Sequence, residues 1–111
     1  MPERILEERE RGFEAKFAHD EEVRFRTLAR RDKLFAVWAA ERMHLDDAAR
    51  LALGHDVLKI EGWPAHDDAL LRYVSGKLEW HGVGLPREEI ARALTSCEAK
   101  AHEQVMAAPL D

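Results

Sequence analysis

Six histidines are the residues of this chain that first suggest a chemical site. Zinc and iron sites commonly take two ligands from one helix, three or four residues apart, but no two of these histidines lie closer than eleven residues. A His-Asp dipeptide such as His66-Asp67 is typical of metal phosphohydrolases, yet adjacent side chains diverge by about 100° on a helix. We therefore predict no metal site, with every histidine at the surface or at a helix end. They are His19, His44, His55, His66, His81 and His102.

Nucleophilic and phosphate-binding chemistry is equally poorly supported. Cys97 is the only cysteine, and it falls on an apolar helical stripe, where cysteine usually acts as a small hydrophobic residue. Ser75 and Ser96 have no flanking glycine elbow of the kind that exposes a catalytic serine. Gly82 and Gly84 are not followed by the lysine of a phosphate-binding loop. The sequence predicts no catalytic residue, no cofactor and no enzyme activity.

Size and charge narrow the class of protein further. The chain has 111 residues and a formal net charge of −5, which favours one domain and argues against nucleic acid as the main partner. Residues 1–33 hold nine basic and nine acidic residues, so the net negative charge comes entirely from residues 34–111. No apolar run approaches a membrane span, and the N-terminus lacks the apolar core of a signal peptide. We expect a cytoplasmic protein that does not insert into a membrane.

Four helices are predicted to position these residues. Helix-forming residues dominate, and the breaks fall at Asp46-Asp47, at Gly62-Trp63-Pro64 and at residues 82–86. The first helix is predicted from about 18–20 to 43, with Asp20 as N-cap, and the others over about 46–61, 67–81 and from Gly84 onward. Pro86 suits the first turn of the last helix. The predicted fold class is all-α, a four-helix bundle.

Each helix carries one apolar stripe that we expect to face the core. Of the tryptophans, Trp38 and Trp80 are predicted at the core or its edge, and Trp63 as a half-exposed lid. The predicted stripes are Leu34, Val37, Trp38 and Leu45 (with Leu28, Phe35 and Ala39 beside them) on the first helix; Ala49, Leu53, Val57 and Ile60 on the second; Leu70, Leu71, Val74 and Leu78 on the third; and Ile90, Leu94, Cys97, Ala101 and Val105 on the fourth.

The N-terminal segment does not fit the bundle as simply. A helix would place Leu6, Phe13 and Phe17 on one side, among charged pairs such as Glu7–Arg11 and Lys16–Asp20. A helix of this length is marginal alone in water, and Gly12 weakens it by roughly 1 kcal/mol against alanine. Spacing leaves two interpretations open: the rings fold back onto the chain's own bundle, or a frayed segment becomes helical in a partner's groove.

The stretch RERGFEAKFAHDEE at residues 9–22 closely resembles the signature of the zeta-subunit family of alphaproteobacterial ATP synthases, and Arg24-Phe25 and residues 29–41 resemble its continuation. The resemblance implies a bundle over residues 19–111 and a mobile inhibitory segment over residues 1–18. In the family, that segment is understood to enter the catalytic head between alpha and beta subunits, near the central-stalk gamma subunit, and to block rotation in the hydrolysis direction. The implied location is peripheral to the inner membrane, through the synthase. The implied partner-binding residues are Leu6, Arg9, Arg11, Phe13, Lys16, Phe17, His19 and Asp20.

Two other functions remain open at this level. One is a helical interaction module that has another partner and no inhibitory activity, with the N-terminal segment as an ordinary part of the fold. The other is a small-molecule site in the bundle that binds nucleotide weakly through Arg30, Arg31 and Lys33. Those three cations lie on successive sides of a helix, which favours a solvated face instead.

Overall fold

The computed structural model describes residues 2–61 and 65–108, and their side chains from residue 7 onward. Within these ranges every regular element is a helix, and none is a strand. This confirms the predicted all-α fold with four helices. The break at Gly62-Trp63-Pro64 and the predicted Trp63 lid lie outside the described residues. The helices are α1 (Pro2–Arg42), α2 (Asp47–Leu58), α3 (His66–Trp80) and α4 (Arg87–Ala107).

The first helix begins much earlier than predicted. α1 is continuous from Pro2 to Arg42, so the predicted start near residues 18–20 is wrong, and Asp20 lies inside the helix instead of capping it. The segment before Asp20 is rich in Glu, Arg, Lys and Ala, which are strong helix formers, and it contains no internal proline. The single Gly12 costs only about 1 kcal/mol, which the neighbouring residues offset. The mobility of residues 1–18 in the free protein stays a prediction.

The long α1 sets the shape of the molecule. The protein measures 68 × 26 × 21 Å, and 41 helical residues at about 1.5 Å each account for most of its length. α1 packs mainly on α4 and then on α2, and much less on α3. Because α2, α3 and α4 are far shorter, they cover only the C-terminal half of α1.

Two helices end in the same left-handed turn. The amide of Leu45 donates a hydrogen bond to the carbonyl of Ala40 at 3.1 Å, and the amide of Val83 donates one to the carbonyl of Leu78 at 2.8 Å. Each bond closes a Schellman motif, whose C′ residue adopts a positive φ. That residue is Gly82 (φ 74°) after α3, but His44 (φ 53°) after α1. A side chain at this position is strained, so the end of α1 is less favourable than the end of α3.

The helix starts follow ordinary capping chemistry. The carboxylate of Asp46 accepts a hydrogen bond from the amide of Ala49 at 2.8 Å, which fixes the start of α2. Pro86 is the N-cap residue of α4, one position before the first turn in which it was predicted. The acidic residues that follow it, Glu88 and Glu89, lie in the first turn, where the helix dipole favours negative charge.

The core confirms the stripes predicted on the three shorter helices. Leu70, Val74 and Leu78 of α3 are completely buried, and Leu53 and Val57 of α2 meet them. The α4 stripe is buried apart from Cys97, which is half-buried. Its buried members are Ile90, Leu94, Ala101 and Val105.

The stripe predicted on α1 is only partly confirmed: Phe35 and Ala39, predicted beside it, are completely buried, but Val37 is not part of the buried face. The buried face is formed by Phe35, Met43 and three alanines at positions 36, 39 and 40, whereas Val37 is 49% exposed. Small side chains let helices approach closely, so the alanines, not the larger aliphatic residues, face the neighbouring helices. The remaining predicted members of that stripe are half-buried. These are Leu28, Leu34, Trp38 and Leu45.

The two described tryptophans, Trp38 and Trp80, have different environments. Trp38 lies at the core edge, as predicted, with its ring stacked on Phe35 at a centroid distance of 5.6 Å and an interplanar angle of 4°. The guanidinium carbon of Arg42 lies 5.4 Å from the centre of the Trp38 ring. Trp80 is 85% exposed, so its predicted core position is wrong. It lies two residues after Leu78, on the other side of α3, where none of the described elements covers it.

Candidate functional site

The N-terminal part of α1 extends beyond the bundle. Every residue from 7 to 22 is exposed, and Val23 is the first buried residue of the helix. We call residues 7–22 the projecting segment. Phe13 is 73% exposed and Phe17 is 68% exposed, so neither ring packs on the chain's own bundle. Large apolar side chains exposed together on one helix are typical of a surface that binds a partner.

The two rings lie on one side of the projecting segment. Four residues correspond to about 40° beyond a full helical turn, so Phe13 and Phe17 are neighbours along the helix surface. The implied cationic residues Arg9, Arg11 and Lys16 are also exposed. Leu6, the third apolar residue of the predicted set, has a side chain outside the described part of the structure.

Ion pairs stabilise the projecting segment less than predicted. Neither Glu7–Arg11 nor Lys16–Asp20 forms an ion pair among the described side chains. An ion pair with the same i, i+4 spacing forms further along α1, where Nη2 of Arg26 lies 2.8 Å from Oε1 of Glu22. Exposed pairs of this kind are worth only about 0.3–0.5 kcal/mol. The helical form of the projecting segment therefore depends mainly on the intrinsic propensity of its residues and on continuity with the rest of α1.

The last two implied binding residues, His19 and Asp20, lie at one end of a cleft between α1 and α4. Both are exposed, and the cleft of about 650 Å³ continues past Thr27 to His102 and Met106 on α4. The hydroxyl of Thr27 is buried here without a hydrogen-bond partner among the described atoms. The structure thus separates the described residues of the implied binding set into two groups. The aromatic and basic residues, from Arg9 to Phe17, form the tip, and the polar residues His19 and Asp20 lie at the cleft.

Where α1 meets α3 and α4, five charged or ionisable side chains form a network that we call the ion-pair cluster. Arg31, Asp32 and His66 are buried, whereas the side chains of Asp67 and Glu98 are each 50% exposed. The centre of the cluster is Arg31, whose side chain is 1% exposed. The guanidinium donates two hydrogen bonds to Asp67, at 2.7 and 3.2 Å, and one to Glu98 at 2.9 Å. It also donates from Nε to Asp32 at 3.0 Å. The cluster consists of Arg31, Asp32, His66, Asp67 and Glu98.

His66 extends the ion-pair cluster to the start of α3. Its Nε2 donates to Oδ2 of Asp32 at 2.7 Å, and its ring is 5% exposed. Asp32 is buried as well, so its two carboxylate oxygens serve Arg31 on one side and His66 on the other. The prediction places every histidine at the surface or at a helix end, and His66 is at a helix end because it is the first residue of α3, although its side chain is buried.

The electrostatics of Arg31 explain how a cation is held inside a small bundle. Burial acts to lower the pKa of the Arg31 guanidinium, but the hydrogen bonds to Asp67 and the charge of Asp32 outweigh it and raise that pKa above its ordinary value. Arg31 is therefore permanently charged and fully paired. The solvated position that helical spacing favoured is wrong for Arg31, whereas Arg30 and Lys33 are exposed as that interpretation requires.

Nothing in the described residues forms a catalytic arrangement around the ion-pair cluster. Burial raises the pKa of the Cys97 thiol, against the opposing charges of Lys100 and Arg31, so the thiol is a poor nucleophile at neutral pH. No group of three or more His, Cys, Asp or Glu side chains in the described ranges is arranged to hold a metal ion. No helix in the same ranges combines the length and the apolar character that crossing a bilayer requires.

The described residues define a small all-α protein in which the exposed N-terminal part of a long helix extends from a bundle, and a partly buried ionic network links that helix to its neighbours. A family model, ATPase inhibitor subunit zeta, matches residues 3–104, and the chain belongs to that family. The match spans both the projecting segment and the bundle, and it confirms the resemblance found in residues 9–41. Membership makes the chain an ATPase inhibitor subunit by class, a regulatory kind of protein that interacts with the ATP synthase. Neither the curated proteins nor the solved structures contain a match to this chain.

Proposed function

We propose that this protein inhibits ATP hydrolysis by the F-type ATP synthase, by inserting residues 1–18 of α1 into the catalytic head. The partners are the alpha and beta subunits that form the receiving cleft and the gamma subunit of the central stalk. The inserted helix acts as a wedge that blocks rotation in the hydrolysis direction. The protein is then peripheral to the inner membrane, on its cytoplasmic side, because the head lies there.

The observation that carries this proposal is the exposure of Phe13 and Phe17 together on the projecting segment, where every described side chain is exposed. A buried aromatic side chain removes about 150–250 Å² from water, which at about 25 cal/mol/Å² is worth roughly 4–6 kcal/mol for the upper limit of full burial of each ring. Such a gain is available only in a cleft that surrounds the helix. A flat surface would cover one side of each ring and leave the rest in water.

The helical form of α1 supports the same proposal. A segment that is already helical loses less conformational freedom on binding than a disordered one, so more of the contact free energy appears as affinity. Arg9, Arg11 and Lys16 can then reach carboxylates at the rim of the cleft. Contacts of this exposed kind contribute more to the rate and the specificity of association than to affinity.

Hydrolysis by the synthase of the source organism tests the proposal. The full-length protein is compared with a form lacking residues 1–18, and with Phe13→Ala and Phe17→Ala. If each ring is an anchor worth 2 kcal/mol or more, each substitution raises the half-inhibitory concentration by roughly thirtyfold or more. Phe25→Ala is the matched control, since Phe25 is 74% exposed on the same helix but lies outside the inserted residues.

The shortened protein is a fair test because none of residues 7–18 is buried, so its bundle should keep its helical circular dichroism and its unfolding transition. Equal inhibition by the shortened and full-length proteins would show that the segment is not the wedge. A full-length protein that binds the head without slowing hydrolysis would favour the alternative, an interaction module with no inhibitory activity.

A further inference from the structure

The ion-pair cluster joins two dipeptides in a crossed arrangement. On α1 the consecutive residues are Arg31 and Asp32, and on α3 they are His66 and Asp67. Arg31 binds Asp67 through two hydrogen bonds, while Asp32 accepts one from His66. Each helix therefore supplies one cationic or donor side chain and one carboxylate, and each finds its complement on the other helix.

This crossed arrangement fixes more than the distance between the helices. Adjacent side chains on a helix diverge by about 100°, so the two links leave α1 in different directions. One link alone would let α1 pivot about the bond, whereas two divergent links oppose rotation of α1 about its own axis and sliding along α3. α1 packs much less on α3 than on α4 or α2, and the cluster supplies direct side-chain links between α1 and α3.

The ion-pair cluster lies well C-terminal to the exposed rings on α1, so a rotation of α1 at the cluster would also turn the rings. N-terminal to Arg31, the buried side chains of α1 are Thr27 and Val23, and none lies before Val23 among the described residues. Phe17 is fourteen residues before Arg31, which is about 21 Å along the helix. If α1 turned in the bundle by the angle of one residue, both rings would face a direction about 100° away.

We infer that Arg31, Asp32, His66 and Asp67 are positioning residues, which lock the rotation of α1 and so set the direction in which Phe13 and Phe17 face. This inference rests on the proposed function, because the direction of the rings matters only if they enter a cleft. Buried ionic networks add little net stability compared with apolar packing, since desolvation offsets their attraction. Their crossed pairing instead selects one orientation of α1 among those that the apolar core allows.

The test compares two double variants that each remove one carboxylate charge from α3 and one from α4. Asp67→Asn with Glu98→Gln weakens the cluster and preserves side-chain shape, and it leaves Arg31 paired with Asp32, so the chain remains folded. Asp68→Asn with Glu103→Gln is the matched control, since both of these side chains are exposed and make no contact with the cluster. Thermal unfolding by circular dichroism checks that both variants are folded.

The orientation of α1 is measured by electron-spin distance distributions. Labels are placed at Glu10→Cys on the projecting segment and at Glu79→Cys on α3, in a Cys97→Ser background. We expect the control to keep the distribution of the unsubstituted pair and the cluster variant to broaden or shift it. The same variants are then assayed, without labels, for inhibition of hydrolysis. If only about a tenth of the molecules keep the correct orientation, the half-inhibitory concentration rises roughly tenfold.

Identical distance distributions for the two variants would overturn the inference. So would a broadened distribution with unchanged inhibition, because the orientation would then not matter to binding. The proposed function fails separately: if the unsubstituted protein does not inhibit hydrolysis, the wedge is rejected. In that case the distance distributions alone decide whether the cluster locks α1.

Discussion

Nε2 of His66 donates a hydrogen bond of 2.7 Å to Oδ2 of Asp32, so the first residue of α3 is tied to a carboxylate buried on α1. The other oxygen of Asp32 accepts from Arg31. A carboxylate with low exposure needs such donors, because burying an ion without partners costs several kcal/mol. This dependence of one buried ion on its neighbours leads to the first prediction.

Arg31→Ala should destabilise the bundle by about 3–5 kcal/mol, because it leaves Asp32 buried without its cation and removes the links to Asp67 and Glu98. Arg30→Ala is the adjacent control and should change stability by no more than about 0.5 kcal/mol, since Arg30 is exposed and makes one long hydrogen bond, 3.4 Å, to Gln104. Urea unfolding measures both. Similar losses for the two variants would contradict the central role of Arg31.

Thr27→Val should stabilise the protein by up to about 1 kcal/mol, because the Thr27 hydroxyl is buried without a partner and valine has the same shape. Thr95→Val serves as the control on α4. The Thr95 hydroxyl is exposed and donates to the carbonyl of Ala91 at 3.2 Å, so no gain is expected there. Unfolding midpoints compare the two. A loss of stability in Thr27→Val would mean that the hydroxyl is satisfied in solution.

His44→Gly should stabilise the protein by up to about 1 kcal/mol, because it relieves the left-handed conformation at the end of α1. Gly82→Ala should have the opposite effect, a loss of about 1 kcal/mol, since it introduces a side chain at the equivalent position of α3. Chemical denaturation of the two single variants gives both values. Changes of the same sign would contradict the shared Schellman geometry.

The pH dependence of Cys97 alkylation should differ between the folded protein and the unfolded chain. Burial raises the pKa of the thiol, and the thiolate is the reactive form, so the folded protein should reach its half-maximal alkylation rate at a higher pH than the chain in urea. Lys100→Met should move the folded midpoint higher still, because the charge of Lys100 lowers that pKa. Iodoacetamide kinetics followed by mass spectrometry provide the measurement. Coincident folded and unfolded profiles would rule out the shift.

Trypsin should cut the free protein first after Arg9, Arg11 or Lys16. These residues are exposed on a helix with no buried side chain of its own in residues 7–22, so local unfolding there costs little free energy. Cleavage after Arg31, which is buried, should follow only global unfolding. Brief digestion and mass spectrometry identify the first sites. Strong protection of the projecting segment would favour a tip that is packed in solution.

Helical periodicity was sufficient where the buried residues are large. On α3 the stripe of Leu70, Val74 and Leu78 is completely buried, as predicted. On α1 the same reasoning finds Phe35 and Ala39 but not the whole face, because Ala36 and Ala40 face the neighbouring helices and Val37 faces water. Hydrophobicity ranks valine above alanine, but close packing of helices selects small side chains, and a single sequence does not reveal which criterion applies.

The ion-pair cluster was missed for a different reason. Helical spacing favours a solvated face for Arg31 and predicts only a surface or helix-end position for His66. Their partners on the facing helix lie more than thirty residues away in the chain. The available signal was the pairing of two adjacent dipeptides of opposite charge, Arg31-Asp32 and His66-Asp67. The exposed positions of Phe13 and Phe17 agree with the partner-binding interpretation of their spacing. The binding role itself stays a prediction.

The unbroken backbone of α1 has a mechanical consequence. A helix fixed at one end and free at the other behaves as a cantilever, in which a sideways load at the tip produces the greatest bending moment at the support. Between Phe13 and Val23, the first buried residue of α1, the moment arm is about 15 Å, from ten residues at about 1.5 Å each. Any sideways push on the tip, such as that of a turning shaft, would therefore be felt most strongly near Val23, where the buried part of α1 begins.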